Sequence, residues 1–301
     1  MYLQHFGLAE TPFSLTPNTG FFFGLAPHVE ALQVLQTALQ TGEGFIKVTG
    51  EVGTGKTLIC RKLINELPKR FHCAYLPNPY LTPDELRWAV AAELGLKYSA
   101  NIDQQQLTSL IQQQLMALSA HGHSIVLVLD EAQALPDESL EALRLFTNLE
   151  TESRKLLQVV LFAQPELDER LSLKKFRQLR QRITFSYQLR PLTDDEAQAY
   201  LHHRLRVAGH QSGELFSARN SRYLAKSARG IPRLINILAH KALLVAFGEG
   251  AINIDRKHIK AAVIDTEDAE HSAKVFWPLI VVITVIISAI LASQFWRGGT
   301  I

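Results

Sequence analysis

Eight consecutive residues, Gly50-Glu51-Val52-Gly53-Thr54-Gly55-Lys56-Thr57, carry the spacing G-x-x-x-x-G-K-[ST] of a phosphate-binding loop. The chemistry accounts for the spacing. Gly50, Gly53 and Gly55 allow backbone conformations closed to residues with side chains, so the N–H groups of the loop, through Glu51, Val52 and Thr54, can point inward at phosphate oxygens. Lys56 places an ammonium against β- and γ-phosphates. Thr57 offers a hydroxyl to Mg²⁺ and, with Leu58, opens a helix whose positive end faces the anion. A second chemical pair, Asp130-Glu131, follows the aliphatic run Ile125–Leu129. A carboxylate at the first position suits Mg²⁺, usually through water, and one at the second suits polarising an attacking water. Taken alone, the pair reads more readily as the cap of a following helix; its pairing with Gly50–Thr57 favours the chemical reading.

These groups need elements to hold them. Phe45-Ile46-Lys47-Val48 before the loop reads as a buried strand and Leu58–Ile64 after it as a helix, the context the loop requires. Ser124–Leu129 lacks alternation, which suits a central parallel strand buried on both faces. In such a sheet, ligands bind at the carboxyl ends of strands. His72–Leu76, Leu157–Ala163 (ending at the polar Gln164) and Ile183–Leu189 supply further strands, and the basic stretch Lys174–Arg182 reads as a helix end before the last of them. Thr82-Pro83-Asp84-Glu85 and Thr193-Asp194-Asp195-Glu196 are capping boxes that start helices. The glutamine-rich stretch 103–119 keeps Leu107, Leu110, Ile111, Leu115 and Leu118 on one helical face and reads as an amphipathic helix. Past residue 190 strands cease. Residues 1–190 are expected to form an α/β nucleotide-binding domain with a parallel sheet and helices on both faces, and 191–270 a small all-helical domain. Residues 1–25 are too apolar for a disordered tail and are expected to pack on the core, where each residue could either cover a bound adenine or simply fill the core.

The 301 residues are 47% hydrophobic with a net charge of +2, so there is no global electrostatic case for nucleic acid. Cys60 and Cys73 form no C-x-x-C pair and read as reduced, buried thiols. The first residues lack the basic and apolar regions of a secretory signal. Val275–Trp296 carries no charge, and about 20 apolar residues of helix span a bilayer. A transmembrane helix is therefore expected at 275–296, with Trp277 and Trp296 at its interfaces and a short tail, 297–301, on the far side. Arg256, Lys257, Lys260 and Lys274 precede the span and only Arg297 follows it, which places the large N-terminal part in the cytoplasm.

The order of Gly50–Thr57, Asp130-Glu131, Gln164, the arginines before the last strand and Gly230-Ile231-Pro232-Arg233 resembles the AAA+ ATPases. Within them, Tyr2–Leu8 with Pro12-Phe13, Gly42-Glu43-Gly44-Phe45, Asp130-Glu131-Ala132-Gln133, Gln164-Pro165-Glu166-Leu167 and Pro232–Asn236 resemble the ExeA-type ATPases of bacterial secretion. With a C-terminal span and no large domain after it, the chain is most similar to the membrane-bound MshM type of that group, which serves biogenesis of the MSHA (mannose-sensitive haemagglutinin) type IV pilus. ExeA itself carries a periplasmic peptidoglycan-binding domain, which the resemblance to the MshM type does not lead one to expect here. The resemblance implies that Gln164 acts as sensor 1, positioning water near the γ-phosphate. Arg233 would be sensor 2, carried by a helical lid, and Arg182 or Arg180 an arginine finger that reaches the γ-phosphate of a neighbouring subunit. Asn78 would restrain the catalytic glutamate, as in some members.

The expectation is an ATP- and Mg²⁺-dependent ATPase of the bacterial inner membrane. It forms an oligomer, a ring, and acts with assembly proteins of a type IV pilus or type II secretion apparatus. Two other readings share the same residues: a nucleotide-gated scaffold with little hydrolysis, and a DNA-handling ATPase of the transposition type.

Overall fold

The computed structural model describes residues 1–99, 101–146, 155–211 and 213–270. The expected membrane span 275–296 and tail 297–301 lie outside the described residues. Among those described, no helix is long and apolar enough to cross a membrane.

Five parallel strands, β1 (Phe45–Gly50), β2 (Phe71–Leu76), β3 (Ser124–Leu129), β4 (Leu157–Ala163) and β5 (Ile183–Leu189), form one sheet in the order β2-β3-β4-β1-β5. The two-residue period of a strand sends alternate side chains to opposite faces, and both faces are covered. Ile125, Leu127 and Leu129 of β3 join one apolar cluster with α4 (Pro83–Glu93), α5 (Gln104–Ala120), α6 (Asp137–Phe146) and α7 (Glu166–Ser172). Val126 and Val128 join another with α2 (Ala26–Thr41) and α3 (Lys56–Glu66). This is why β3 shows no alternation in its sequence. Both predicted capping boxes form, at Thr82/Glu85 and Thr193/Glu196, and α5 turns Leu107, Ile111 and Leu115 into the core. The basic stretch before β5 is a 3₁₀ turn, Lys174–Phe176, followed by the one-turn helix α8 (Arg177–Arg180). Cys60 is buried, Cys73 is only partly so, and both are free thiols.

A third apolar cluster gathers α9 (Asp194–Val207), α10 (Ala218–Ser227), α11 (Pro232–Gly248) and α12 (Arg256–Ile264). The N-terminal segment belongs to this cluster. Beyond the short helix α1 (Tyr2–His5), Phe6, Leu8, Phe13, Phe21 and Leu25 are buried among Leu201, Leu205 and Phe216. The segment packs on the core as expected, most of its apolar side chains on these helices and Phe22 on the cluster of the sheet with α2 and α3.

Candidate nucleotide site

Strand order places the chemical residues together. β4 lies between β1 and β3, and in a parallel sheet all three carboxyl ends open on the same edge. The loop after β1, Asp130-Glu131 after β3 and Gln164 after β4 are therefore neighbours, though far apart in sequence.

The loop takes its shape from its own polar groups. Gly53 (φ 83°) and Gly55 (φ 103°) lie in the left-handed region, where a side chain is strained. Gly50 differs from the expectation, since it is not among the positive-φ glycines. It is needed because a Cβ there would meet Leu189 Cβ and Thr54 Oγ1, each at 2.9 Å. Thr54 Oγ1 donates to Glu51 O at 2.8 Å. Lys56 Nζ donates to the carbonyls of Gly50 (2.8 Å) and Glu51 (3.0 Å), so the ammonium is held inside the loop. Burial holds Lys56 below the usual lysine range, against the opposing pull of Glu131 and Asp130. A buried cation with only carbonyl partners is well matched to an anionic ligand. Asp130 is 3% exposed. Burial pushes its carboxyl above the usual aspartate range, opposed by hydrogen bonds from the Thr57 hydroxyl and the Glu131 N–H. A hydroxyl and a carboxylate in contact form an all-oxygen donor set that suits Mg²⁺.

Glu131 takes a left-handed backbone conformation, φ 54° and ψ 38°, which is uncommon for a residue with a side chain. Its Oε2 accepts from Gln133 Nε2 at 2.6 Å and from Gln164 Nε2 at 3.1 Å. Asn78, expected to restrain this glutamate, is exposed and instead accepts from the Tyr80 N–H at 3.4 Å.

Val52, Gly53, Gly55, Lys56, Thr57, Leu58, Glu131, Gln164 and Arg233 line one cleft. Arg233 reaches it because the first turn of α11 abuts the loop: its N–H donates to Gly53 O at 3.1 Å. Arg180 and Arg182 do not line the cleft. Gly50 pairs with Leu189 while Phe45 pairs with Ile183, so Arg182, one residue before Ile183, stands at the other end of the sheet, about 20 Å away at 3.3 Å per residue. Arg180 donates to Ser172 O at 3.1 Å. Neither serves the site of its own chain.

Residues 14–18 line the cleft, as the expectation that the N-terminal segment covers a bound base requires, whereas His28, Tyr200, Arg204 and Asn236, which complete its wall, carry no sequence expectation. His28, 4% exposed, fastens α2 to the loop through Nε2 and Thr54 O at 3.0 Å. Burial lowers its pKa and favours the neutral ring, so Nε2 carries the proton donated to the carbonyl. Arg204 is 6% exposed. Its Nε donates to Pro12 O at 2.5 Å and its Nη2 to Ser14 O at 3.1 Å, while the guanidinium lies 4.4 Å from the Phe21 ring centroid. Tyr200 donates to Asn236 Oδ1 at 3.1 Å. Arg204 shares α9 with Tyr200 at i, i+4 spacing, and that polar pair on a helix face was the available signal.

Residues 39–171 match the family model described as an AAA domain. General secretion pathway protein A of Aeromonas hydrophila is 40% identical over 296 residues, which is 98% of this chain and 54% of that protein. The chain thus spans about half the length of this relative. Among solved structures, Cdc6p from Pyrobaculum aerophilum has a TM-score of 0.65 at 20% identity, covering 83% of this chain and 69% of that one. The ORC2 protein of Aeropyrum pernix in its ADPNP–ADP complexes gives 0.61 at 15%, covering 85% and 73%. The RuvB Holliday junction branch migration motor of Thermotoga maritima gives 0.51 at 18%, covering 81% and 70%. At these identities the structural likeness is one of fold, a P-loop, AAA-like parallel sheet.

Proposed function

We propose, from an AAA domain and kinship with a bacterial secretion protein, that this chain is an AAA+ ATPase of the ExeA type that hydrolyses ATP. The observation that carries the reading is the convergence of Lys56, Thr57, Glu131, Gln164 and Arg233 on one cleft, with Asp130 beside Glu131 at its edge. Lys56 and the loop N–H groups bind the β- and γ-phosphates, and Lys56 exchanges its carbonyl partners for phosphate oxygens. Thr57 and Asp130 would hold Mg²⁺, which neutralises phosphate charge when bound. Glu131 orients and deprotonates water, Gln164 positions that water near the γ-phosphate, and Arg233 closes on the nucleotide from α11. Phosphoryl transfer depends mainly on positioning and charge stabilisation, and these groups supply both.

Arg182, or Arg180, would act in trans on a neighbouring subunit, which makes the working form an oligomer, a ring. In domain terms, 1–190 is the nucleotide-binding part and 191–270 a lid. The uncharged run 275–296 anchors the chain in the bacterial inner membrane with its ATPase part cytoplasmic. Carbonate extraction of the full chain from membranes would sink the anchor. The work driven or regulated is assembly of an MSHA-like type IV pilus, as in the MshM type, or of a type II secretion apparatus.

The test is phosphate release and nucleotide binding by the full chain. Lys56→Ala loses nucleotide binding. Glu131→Gln binds ATP but turns over at least about 100-fold slower, the scale of a lost general base. Unimpaired turnover by Glu131→Gln would remove that residue from its role. ATP binding with little or no phosphate release by the unsubstituted chain would mark a nucleotide-gated scaffold instead.

A further inference from the structure

Gln133 has no role in the scheme above, yet its side chain is fixed at both ends. Nε2 donates to Glu131 Oε2 at 2.6 Å, and Oε1 accepts the backbone N–H of Gln164 at 3.0 Å. Gln164 closes a ring through its own Nε2, 3.1 Å from the same Glu131 oxygen. The backbone of Gln133 is held too. Its carbonyl accepts from Arg170 Nη1 at 2.8 Å, and Arg170 Nη2 continues to Leu135 O at 2.8 Å and to Asp137 Oδ1. Gln133 does not line the cleft, so its amide acts on groups that do.

The two donors to Glu131 differ in what else they can do. Oε2 has two lone pairs and both are engaged, so Oε1 is the oxygen left to accept from a water. Gln164 lines the cleft and its amide can turn to a phosphate. When it does, Glu131 keeps one partner, Gln133, and that partner remains tied to the end of β4 by the Gln164 N–H.

We propose that Gln133 is a positioning residue for hydrolysis: it holds one carboxylate oxygen of Glu131 against the end of β4 and so fixes the direction in which the other meets water. This rests on the hydrolytic reading above. A glutamine that only capped the turn Ala132–Ala134 would affect folding and nucleotide binding together, and its effect would not depend on Glu131.

The experiment uses the full chain, with Gln133→Leu, which keeps the size and removes both hydrogen bonds. The expected result is a kcat lower by about 10- to 100-fold, the scale of a lost orienting contact. The KM for ATP and the Kd for a non-hydrolysable ATP analogue stay within about threefold. In a Glu131→Ala background the same substitution changes single-turnover phosphate release by less than about twofold, because its route is gone. Should Gln133→Leu fail to fold by circular dichroism and thermal melting, Gln133→Ala carries the same three readouts at this half-buried position. Wild-type kcat, a loss of binding in step with kcat, or an equal further loss in the Glu131→Ala background would each overturn the proposal. No phosphate release from the unsubstituted chain would remove both readings, whereas failure confined to Gln133 removes only this one.

Discussion

The cleft has two walls. One is built from residues that follow the carboxyl ends of adjacent strands: Val52, Gly53 and Gly55–Leu58 after β1, Glu131 after β3 and Gln164 after β4. The other is built from single side chains of α9, α11 and the N-terminal segment: Tyr200, Arg204, Arg233, Asn236 and residues 14–18. The first wall is positioned by sheet topology, since any parallel sheet with β4 between β1 and β3 brings its three loops together. The second is positioned by packing in a separate apolar cluster. Its geometry therefore depends on where the walls touch, and Gly53 is one such point.

A substitution there tests the dependence most severely. A Cβ on Gly53 would stand 2.5 Å from Arg233 Cβ and 3.2 Å from Ile231 Cγ2, in a backbone at φ 83°. Left-handed strain of about 1–2 kcal/mol and overpacking of about 1–3 kcal/mol both oppose Gly53→Ala. The cheapest relief is for α11 to move off the loop. Nucleotide affinity should then fall by about 30-fold or more, with a lower Tm. Unchanged affinity and melting would mean that the walls are not coupled at this contact.

A smaller effect is expected from Arg204→Met, which keeps an apolar stem but leaves the carbonyls of Pro12 and Ser14 without their donor. Hydrogen bonds from a charged group are worth about 1.5–3 kcal/mol. The Tm should drop, amide exchange should rise over residues 12–18, and nucleotide affinity should weaken by about tenfold or less. Faster exchange without any change in affinity would separate the N-terminal segment from binding.

These two residues mark the limit of what the sequence discloses. The loop, Asp130-Glu131, five strands and both capping boxes are legible because each is a local pattern: a spacing, an aliphatic run, or a Thr–Glu pair three apart. The contact of Arg204 with Pro12 is not legible, because the two are 192 residues apart; only the i, i+4 pairing of Arg204 with Tyr200 hints at a polar face there. Gln133 could not be chosen over Asn78, because its reach depends on the left-handed backbone of Glu131, and no residue type signals that at a non-glycine position. Gly50 was legible as a requirement but for the wrong reason, since a close approach and a positive φ select the same residue.

The smallest effect concerns the surface link between the walls, where β5 passes into α9. Arg190 Nη1 and Nη2 donate to Glu196 at 2.7 and 2.8 Å, and Glu196 also accepts from the Thr193 N–H at 2.8 Å. The Arg190 guanidinium, with the Thr193 N–H, pulls the Glu196 carboxyl down to about 2 from 4.5. A carboxyl whose pKa is lower folded than unfolded stabilises the fold above the unfolded value, and that stability is lost as pH falls through the folded one. The window is therefore pH 4.5 to about 2. Arg190 is 46% exposed, so solvent screening limits the gain to about 1 kcal/mol. The Tm difference between the wild type and Arg190→Met should be full at pH 6, shrink through that window, and be smaller in high salt. A difference constant with pH would assign the Arg190 contribution to packing of its stem. The link between the walls would then rest on buried contacts such as that of Gly53, and the surface pair would contribute nothing electrostatic to it.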